Sequence, residues 1–243
     1  MNRAQSKQID SLVRAYEGHR PVIDTFHNQL LQALTGSQKL GSLVHSIRSR
    51  LKDPEHLKDK LRRKWQKKLD AGEAFDITAE NLLVRVNDLV GIRILHLYTR
   101  QIQDIDAAVR EILNEYQYKL LEGPFARTWD DESRAYFEEC RIETQKSPSL
   151  YTSVHYVVES ASRTKITAEI QVRTLMEEVW GEVDHQLNYP QQTNSLACRE
   201  QLKVLARITS SATRLVDSIF STQADHIGQQ GQASAKKKAT DRK

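Results

Sequence analysis

The chain has 243 residues, 39% hydrophobic and 28% charged, with a formal net charge of +4. That length supports one large or two small domains with a sizeable core, and no segment approaches the run of about 20 apolar residues that a bilayer span needs. All of the net charge lies in the last eight residues, KKKATDRK, so residues 1–235 are formally neutral and any anion site in the body must come from local clustering.

The N-terminal MNRAQSKQIDSLVRAY lacks the apolar stretch of a signal peptide. Apolar residues at three- and four-residue steps predict a helix over 8–35, broken or kinked at Pro21. SLVHSIRSRLK, within 41–52, alternates as an extended segment. Pro54 then starts a basic helix, PEHLKDKLRRKWQKKLDAG, that Gly72 stops. TAENLLVRV predicts a short helix from Thr78, with Asn81 completing an imperfect capping box. GIRILHLY, 91–98, is a strand. Residues 102–117 form an amphipathic helix with Ile105, Ala108, Val109, Ile112 and Leu113 on one stripe.

Residues 120–150 are polar and aperiodic, and predict a long loop with a short strand near 140. YTSVHYVVE and KITAEIQVR form a hairpin across the polar turn SASRTK. Helices follow over 174–188 and 196–221. In the first, Met176, Val179, Trp180, Val183 and Leu187 make a stripe expected to face the core, with the acidic residues on the solvated face. The second carries Leu202, Leu205, Ile208, Leu215 and Ile219. From Gln223 onward almost nothing apolar remains, and a disordered basic tail is expected. Cys140 and Cys198 supply neither a metal spacing nor a disulfide framework, which points to reduced thiols in a cytoplasmic protein. The fold class is α+β, a mixed or antiparallel sheet flanked by helices. It divides into an N-terminal helical region over 1–40, a main domain over 41–195, a C-terminal helix over 196–222 and the tail over 223–243.

Three groups of residues carry chemistry. Asp88 stands at the entrance to the strand in RVNDLVGIRILHLY, where it either caps the backbone or pairs locally, as with Arg93, or reaches into a cleft at the sheet edge. Alternation in TAEIQVRT puts Ala168, Ile170 and Val172 on one face and Glu169, Gln171 and Arg173 on the other. The neighbouring strand presents Tyr151, Ser153 and His155. Glu169 is either half of an ion pair with Arg173 or Lys165, or shares one Mg²⁺ with Asp88, since Mg²⁺ is commonly held by one or two carboxylates plus substrate phosphates. The cationic segment 48–68 suits a polyphosphate. Most of its lysines read as a solvated face, while Arg50, Lys52 and Lys60 are interleaved with Leu51, Leu57 and Leu61. No Walker loop, dinucleotide fingerprint, HExxH or GxSxG is present.

RVNDLVGIRILHLY, YTSVHY and AEIQVRTLMEEVWGEVDHQLNYP together resemble the RelA/SpoT synthetase domain, and SIRSRLKDPEHLKDKLRRK resembles that family's ATP-binding segment. The resemblance covers about residues 40–190 and is most specific over 169–189. It implies a nucleotidyltransferase-like synthetase domain of the small, single-domain kind. It also implies a Mg²⁺-dependent GTP pyrophosphokinase that transfers the β,γ-pyrophosphate of ATP to the 3′-hydroxyl of GTP or GDP, making the alarmones ppGpp and pppGpp. On the family pattern Asp88 and Glu169 are the metal and catalytic residues. Arg50, Lys52, Lys60 and Arg63 bind ATP, while Tyr151, Ser153 and His155 bind the acceptor, Tyr151 by stacking on its base. Gln171, Arg173, Trp180, His185 and Tyr189 support the site.

The chain departs from the family pattern at KSPSLY. Leu150 stands where the family has glycine, and Lys146 lies one place further upstream than the family lysine. The resemblance therefore leaves other acceptors open: the tRNA 3′ end or an adenine nucleotide, as in toxin members of the family. It likewise leaves open a homo-oligomer built through flanking helices and an antitoxin partner.

Overall fold

The computed structural model describes residues 2–188 and 192–240, with side chains as far as residue 230. Tyr189, read above as a supporting residue, lies outside the described residues, as does the Asp241–Lys243 end of the basic tail. Helix α1 (Arg3–Gly18) opens under an Asn2–Gln5 capping box. Helix α2 (Arg20–Gly36) begins with Pro21 in its first turn, so the predicted break falls at His19. After α3 (Gln38–Leu43) and β1 (Ser46–Leu51) comes α4 (Pro54–Asp70), capped by the Asp53 side chain and ending before Gly72 at φ +71°. The helix predicted from Thr78 shrinks to one turn, α5 (Leu82–Arg85). The Asn81 amide accepts from Thr78 N and donates to Asp76 O, which ties up a loop instead of starting a helix.

Strand β2 (Val90–His96) and α6 (Ile102–Glu115) fall where the pattern places them. The stretch predicted as a long loop is in fact β3 (Lys119–Thr128), α7 (Asp131–Glu139) and β4 (Glu143–Lys146). Its alternation is hidden because β3 is bulged twice against β5. At the second bulge Gly123 has φ +90°, and a Cβ there would lie 2.2 Å from His155 O, so no other residue fits. The hairpin β5 (Ser153–Glu159) and β6 (Thr167–Thr174) leads directly into α8 (Leu175–Asn188), followed by α9 (Leu196–Thr240).

The six strands form one mixed sheet, ordered β1-β2-β6-β5-β3-β4, with β2/β6 and β3/β4 parallel and the other pairs antiparallel. One face carries Ile92, Ile94, Val154, Tyr156, Ala168, Ile170 and Val172. It packs against the apolar stripes of α1, α2, α4 and α6 in a single core. Among the described residues no helix is long and apolar enough to cross a membrane.

The last two helices depart from expectation. In α8 only Trp180 of the apolar stripe is buried, while Val179, Val183 and Leu187 face outward. It is the acidic pair Glu177 and Glu178, expected on the solvated face, that is buried. Helix α9 buries Leu202, Ala206, Thr209, Ser210 and Thr213, and leaves Ile208, Leu215 and Ile219 exposed. It also runs on to Thr240, through the segment expected to be disordered. Its Gln-, Ala- and Lys-rich composition favours helix without any core to bury, and Thr222–Gln230 are exposed throughout.

Candidate active site

The second face of the sheet is polar in its middle. Strand register lines up Arg48, Arg93, Gln171, His155 and Phe125 in one row across five strands. The next row on that face runs Arg50, Gly91, Glu169, Val157. Helix α8 covers one end of this face: Arg173 pairs with Glu178, and Arg93 with Glu178 and Glu182. Gly181 permits the approach, since a Cβ there would lie 2.6 Å from the Arg173 guanidinium. At the other end the face stays open as a cleft lined by Arg50, Asp88, Gly91, Glu169 and Gln171. Gly91 keeps the floor clear between Arg50 and Glu169.

Asp88 enters this cleft from the loop before β2. It pairs with neither Arg93 nor a backbone cap. Lys52 Nζ donates to Oδ2 at 2.9 Å. Lys60 Nζ lies 2.7 Å from Oδ1, off the line of a good hydrogen bond, so that contact is one of charge. Burial alone would raise the Asp88 pKa, but the two ammonium groups override it and hold the carboxyl at about 2. Strand β1 and helix α4 thus deliver the two lysines that the sequence singles out. Lys64, one turn beyond Lys60, has its pKa lowered by burial and by the Lys60 charge, and it also feels the Asp88 charge. The sequence alone groups it with the lysines of a solvated face. Arg63 is exposed on another patch of α4, beside Arg62 and Leu69. His185 comes beside Arg50, not Glu169: burial and the Arg50 charge lower its pKa.

Glu169 makes neither of the ion pairs considered above. Its Oε1 lies 2.9 Å from His155 Nδ1, and Gln171 Nε2 donates to Oε2 at 3.1 Å. Burial works against its charge, yet the His155 contact prevails and the pKa is lowered, so Glu169 is a carboxylate at neutral pH. Behind it, His155 Nε2 meets Ser153 Oγ at 2.6 Å and Tyr151 Oη at 2.8 Å, and its ring stacks on Phe125. His155 and Ser153 are each 1% exposed. The structure therefore places them in a chain behind Glu169 rather than on the surface a ligand would touch.

Tyr151 is half-buried, its ring stacked in parallel on Trp180 at 6.4 Å. Leu150 before it has φ +60°. The backbone keeps the left-handed turn that suits glycine, with a leucine in it. That conformation costs a non-glycine residue about 1–2 kcal/mol. Leu150→Gly is expected to gain up to about 1 kcal/mol in urea unfolding. A loss instead would show that packing of the half-buried leucine outweighs the strain.

One cation here was missed by sequence reasoning because its strand was read as loop. Arg127 pairs in register with Ser153, sits over the Phe125 ring at 5.4 Å, is exposed, and bears on Tyr151 electrostatically. On this face Arg93 and Arg173 are neutralised by α8. Arg50 and Arg127, on opposite sides of Glu169, make no ion pair among the described residues.

Residues 49–194, the span that contains the whole Asp88–Glu169 cleft and the Tyr151 platform though not Arg48, match the model of a region found in RelA / SpoT proteins. The chain belongs to the RelA/SpoT family. Solved structures share the fold of this RelA/SpoT domain. Small alarmone synthetase 1 from Bacillus subtilis, bound to its product pppGpp, aligns with a TM-score of 0.57 at 17% identity over 85% of this chain and 95% of its own. A GTP pyrophosphokinase family protein from Streptococcus pneumoniae aligns with a TM-score of 0.54 at 20% identity over 93% and 97%. The Bacillus subtilis protein bound to AMPCPP aligns with a TM-score of 0.57 at 16% identity over 90% and 99%. No curated protein matches the chain.

Proposed function

We propose that this RelA/SpoT domain is a pyrophosphokinase that moves the β,γ-pyrophosphate of ATP to the 3′-hydroxyl of GTP or GDP. The observation that carries this reading is the meeting of two ionised carboxylates with opposite support in one cleft: Asp88 between two lysines, and Glu169 backed by a histidine. In the proposed step the acceptor 3′-oxygen attacks the β-phosphorus of ATP. The bond from that phosphorus to the α–β bridging oxygen breaks, AMP leaves, and the hydroxyl proton passes to Glu169. Strand β5 holds His155 against Glu169, which fixes the carboxylate for that transfer.

Among the described residues no group of three or more His, Cys, Asp or Glu could hold a metal. A two-carboxylate cleft fits an ion whose remaining ligands come from phosphates and water, which is the habit of Mg²⁺. Asp88 and Glu169 would hold it, and it would neutralise charge on the phosphates. Arg50, Lys52 and Lys60 face the donor phosphates, with Lys64 behind them. Tyr151 stacks on the acceptor base, and Arg127 is placed for the acceptor's phosphates. The Bacillus subtilis protein's product pppGpp supports a guanine nucleotide as acceptor. Free Cys140 and Cys198 suit the reducing cytoplasm.

The test is a product survey with ATP labelled in its γ-phosphate, offering GTP, GDP, ATP and deacylated tRNA in turn. Label is expected in a guanosine tetra- or pentaphosphate, with stoichiometric AMP. Label in tRNA or in an adenosine product would keep the chemistry and replace the acceptor. Absence of AMP with every acceptor would overturn the reading.

A further inference from the structure

Helix α8 holds a buried carboxylate that the chemistry above does not use. Glu177 is 4% exposed and lies outside the Asp88–Glu169 cleft, lining a separate cavity with Thr152 and Ser153. The run Thr174-Leu-Met-Glu177 has the spacing of a capping box, and Thr174 Oγ1 does accept from Glu177 N. In a capping box the glutamate would turn back to the Thr174 amide. Here it reaches sideways instead, to the next strand, and Glu177 Oε2 accepts from Thr152 N at 3.0 Å. Thr152 follows Tyr151 and precedes the first paired residue of β5, so the sheet has no use for that amide. One turn along α8, Trp180 takes the Tyr151 ring. A single helix face therefore grips the dipeptide twice, by its backbone and by its ring. The left-handed Leu150 next to it is a conformation that persists only where its surroundings enforce it.

We propose that Glu177 is a positioning residue for the acceptor: its carboxylate ties the Thr152 backbone to α8 and so holds Tyr151 in place as the stacking platform. The proposal rests on the reading of Tyr151 given above. Burial raises the Glu177 pKa to about 7, so the tie changes strength across neutral pH. The charged groups facing it are few. Arg173 from β6 favours its charge, and Asp130 from the turn after β3 opposes it. Asp130 is itself engaged by Ser210 and Arg214 of α9. His96 from β2 lines the same cavity, its pKa lowered by burial to about 4, so it stays neutral throughout. A protonated Glu177 is a weaker acceptor for Thr152 N–H. The platform is thus firmest in mildly basic solution.

The experiment compares wild type, Glu177→Gln and Glu177→Ala between about pH 6 and about pH 8. For wild type the acceptor KM is expected to rise about five-fold on going to the acid end, with the ATP KM unchanged. Glu177→Gln keeps an acceptor oxygen but cannot titrate, so its acceptor KM should be independent of pH. Glu177→Ala should show the raised value at both ends. A Glu177→Gln profile that still follows wild type, or an alanine variant that moves both KM values alike, would overturn the proposal. Hydrogen exchange of the Thr152 amide supplies a readout that needs no turnover. Protection should be lost in Glu177→Ala and kept in Glu177→Gln, and equal protection in both would also sink the tie. If exchange behaves as expected while Tyr151→Ala leaves the acceptor KM alone, the tie stands and the reading of Tyr151 fails.

Discussion

Glu169→Gln should cut pyrophosphate transfer by about 10²–10⁴-fold, the usual worth of a positioned general base. The amide copies the shape of the carboxylate, and its oxygen can still accept from His155 Nδ1, so the β5–β6 pairing and the buried His155–Ser153–Tyr151 chain have no cause to move. What it removes is the negative charge at the cleft floor opposite Gly91. The loss should therefore fall mainly on kcat, with the thermal melt close to wild type. Labelled-product formation together with a melting curve checks both halves. A variant that keeps more than about a tenth of the wild-type rate would remove Glu169 from the chemical step.

Much of this site was legible because alternation along a strand survives in the sequence. TAEIQVRT has strict period two, and its polar face is the one that lines the cleft. Pro21, Pro54 and Gly72 act through the backbone alone, so the helix ends near them could be placed without knowing the tertiary structure. Tertiary context decided the remainder. Asp88 and Glu169 each had several charged neighbours in sequence. Their actual partners, Lys52, Lys60 and His155, come from other elements that only the sheet order brings close. Strand β3 lost its period to two bulges, and Arg127 was lost with it.

The helices after the sheet failed for a different reason. An apolar stripe normally marks the buried face, but α8 begins directly at the end of β6, over a polar sheet face. The residues turned toward that face are there to neutralise Arg93 and Arg173 and to meet Thr152, so acid is what they need to be. Val179, Val183 and Leu187 are left outside. A hydrophobic stripe reports which side of a helix can be buried at low cost, and the arginines set which side was.

Asp88→Asn is expected to abolish turnover while strengthening the hold on ATP in metal-free buffer, two effects of opposite sign from one substitution. The carboxylate occupies Lys52 and Lys60 at once. An asparagine releases both ammonium groups for the donor phosphates, yet supplies no charge to the reaction. Stability should fall as well. The folded carboxyl sits at about 2, below its ordinary value of 3.8, so its contribution is fully present above the unfolded pKa and is lost as pH falls through the folded one. Taken alone that shift is worth about 2 kcal/mol. Burial lowers the Lys52 pKa even with Asp88 beside it, so ordering that lysine consumes part of the gain. The net loss in Asp88→Asn at neutral pH should then be on the order of 1 kcal/mol, shrinking toward zero near the acid limit. Labelled-product formation, calorimetric titration of ATP in EDTA, and urea unfolding at neutral and acid pH measure the three effects in turn. Weaker ATP binding by the variant without metal would mean that Asp88 orders the lysines for phosphate rather than competing with it.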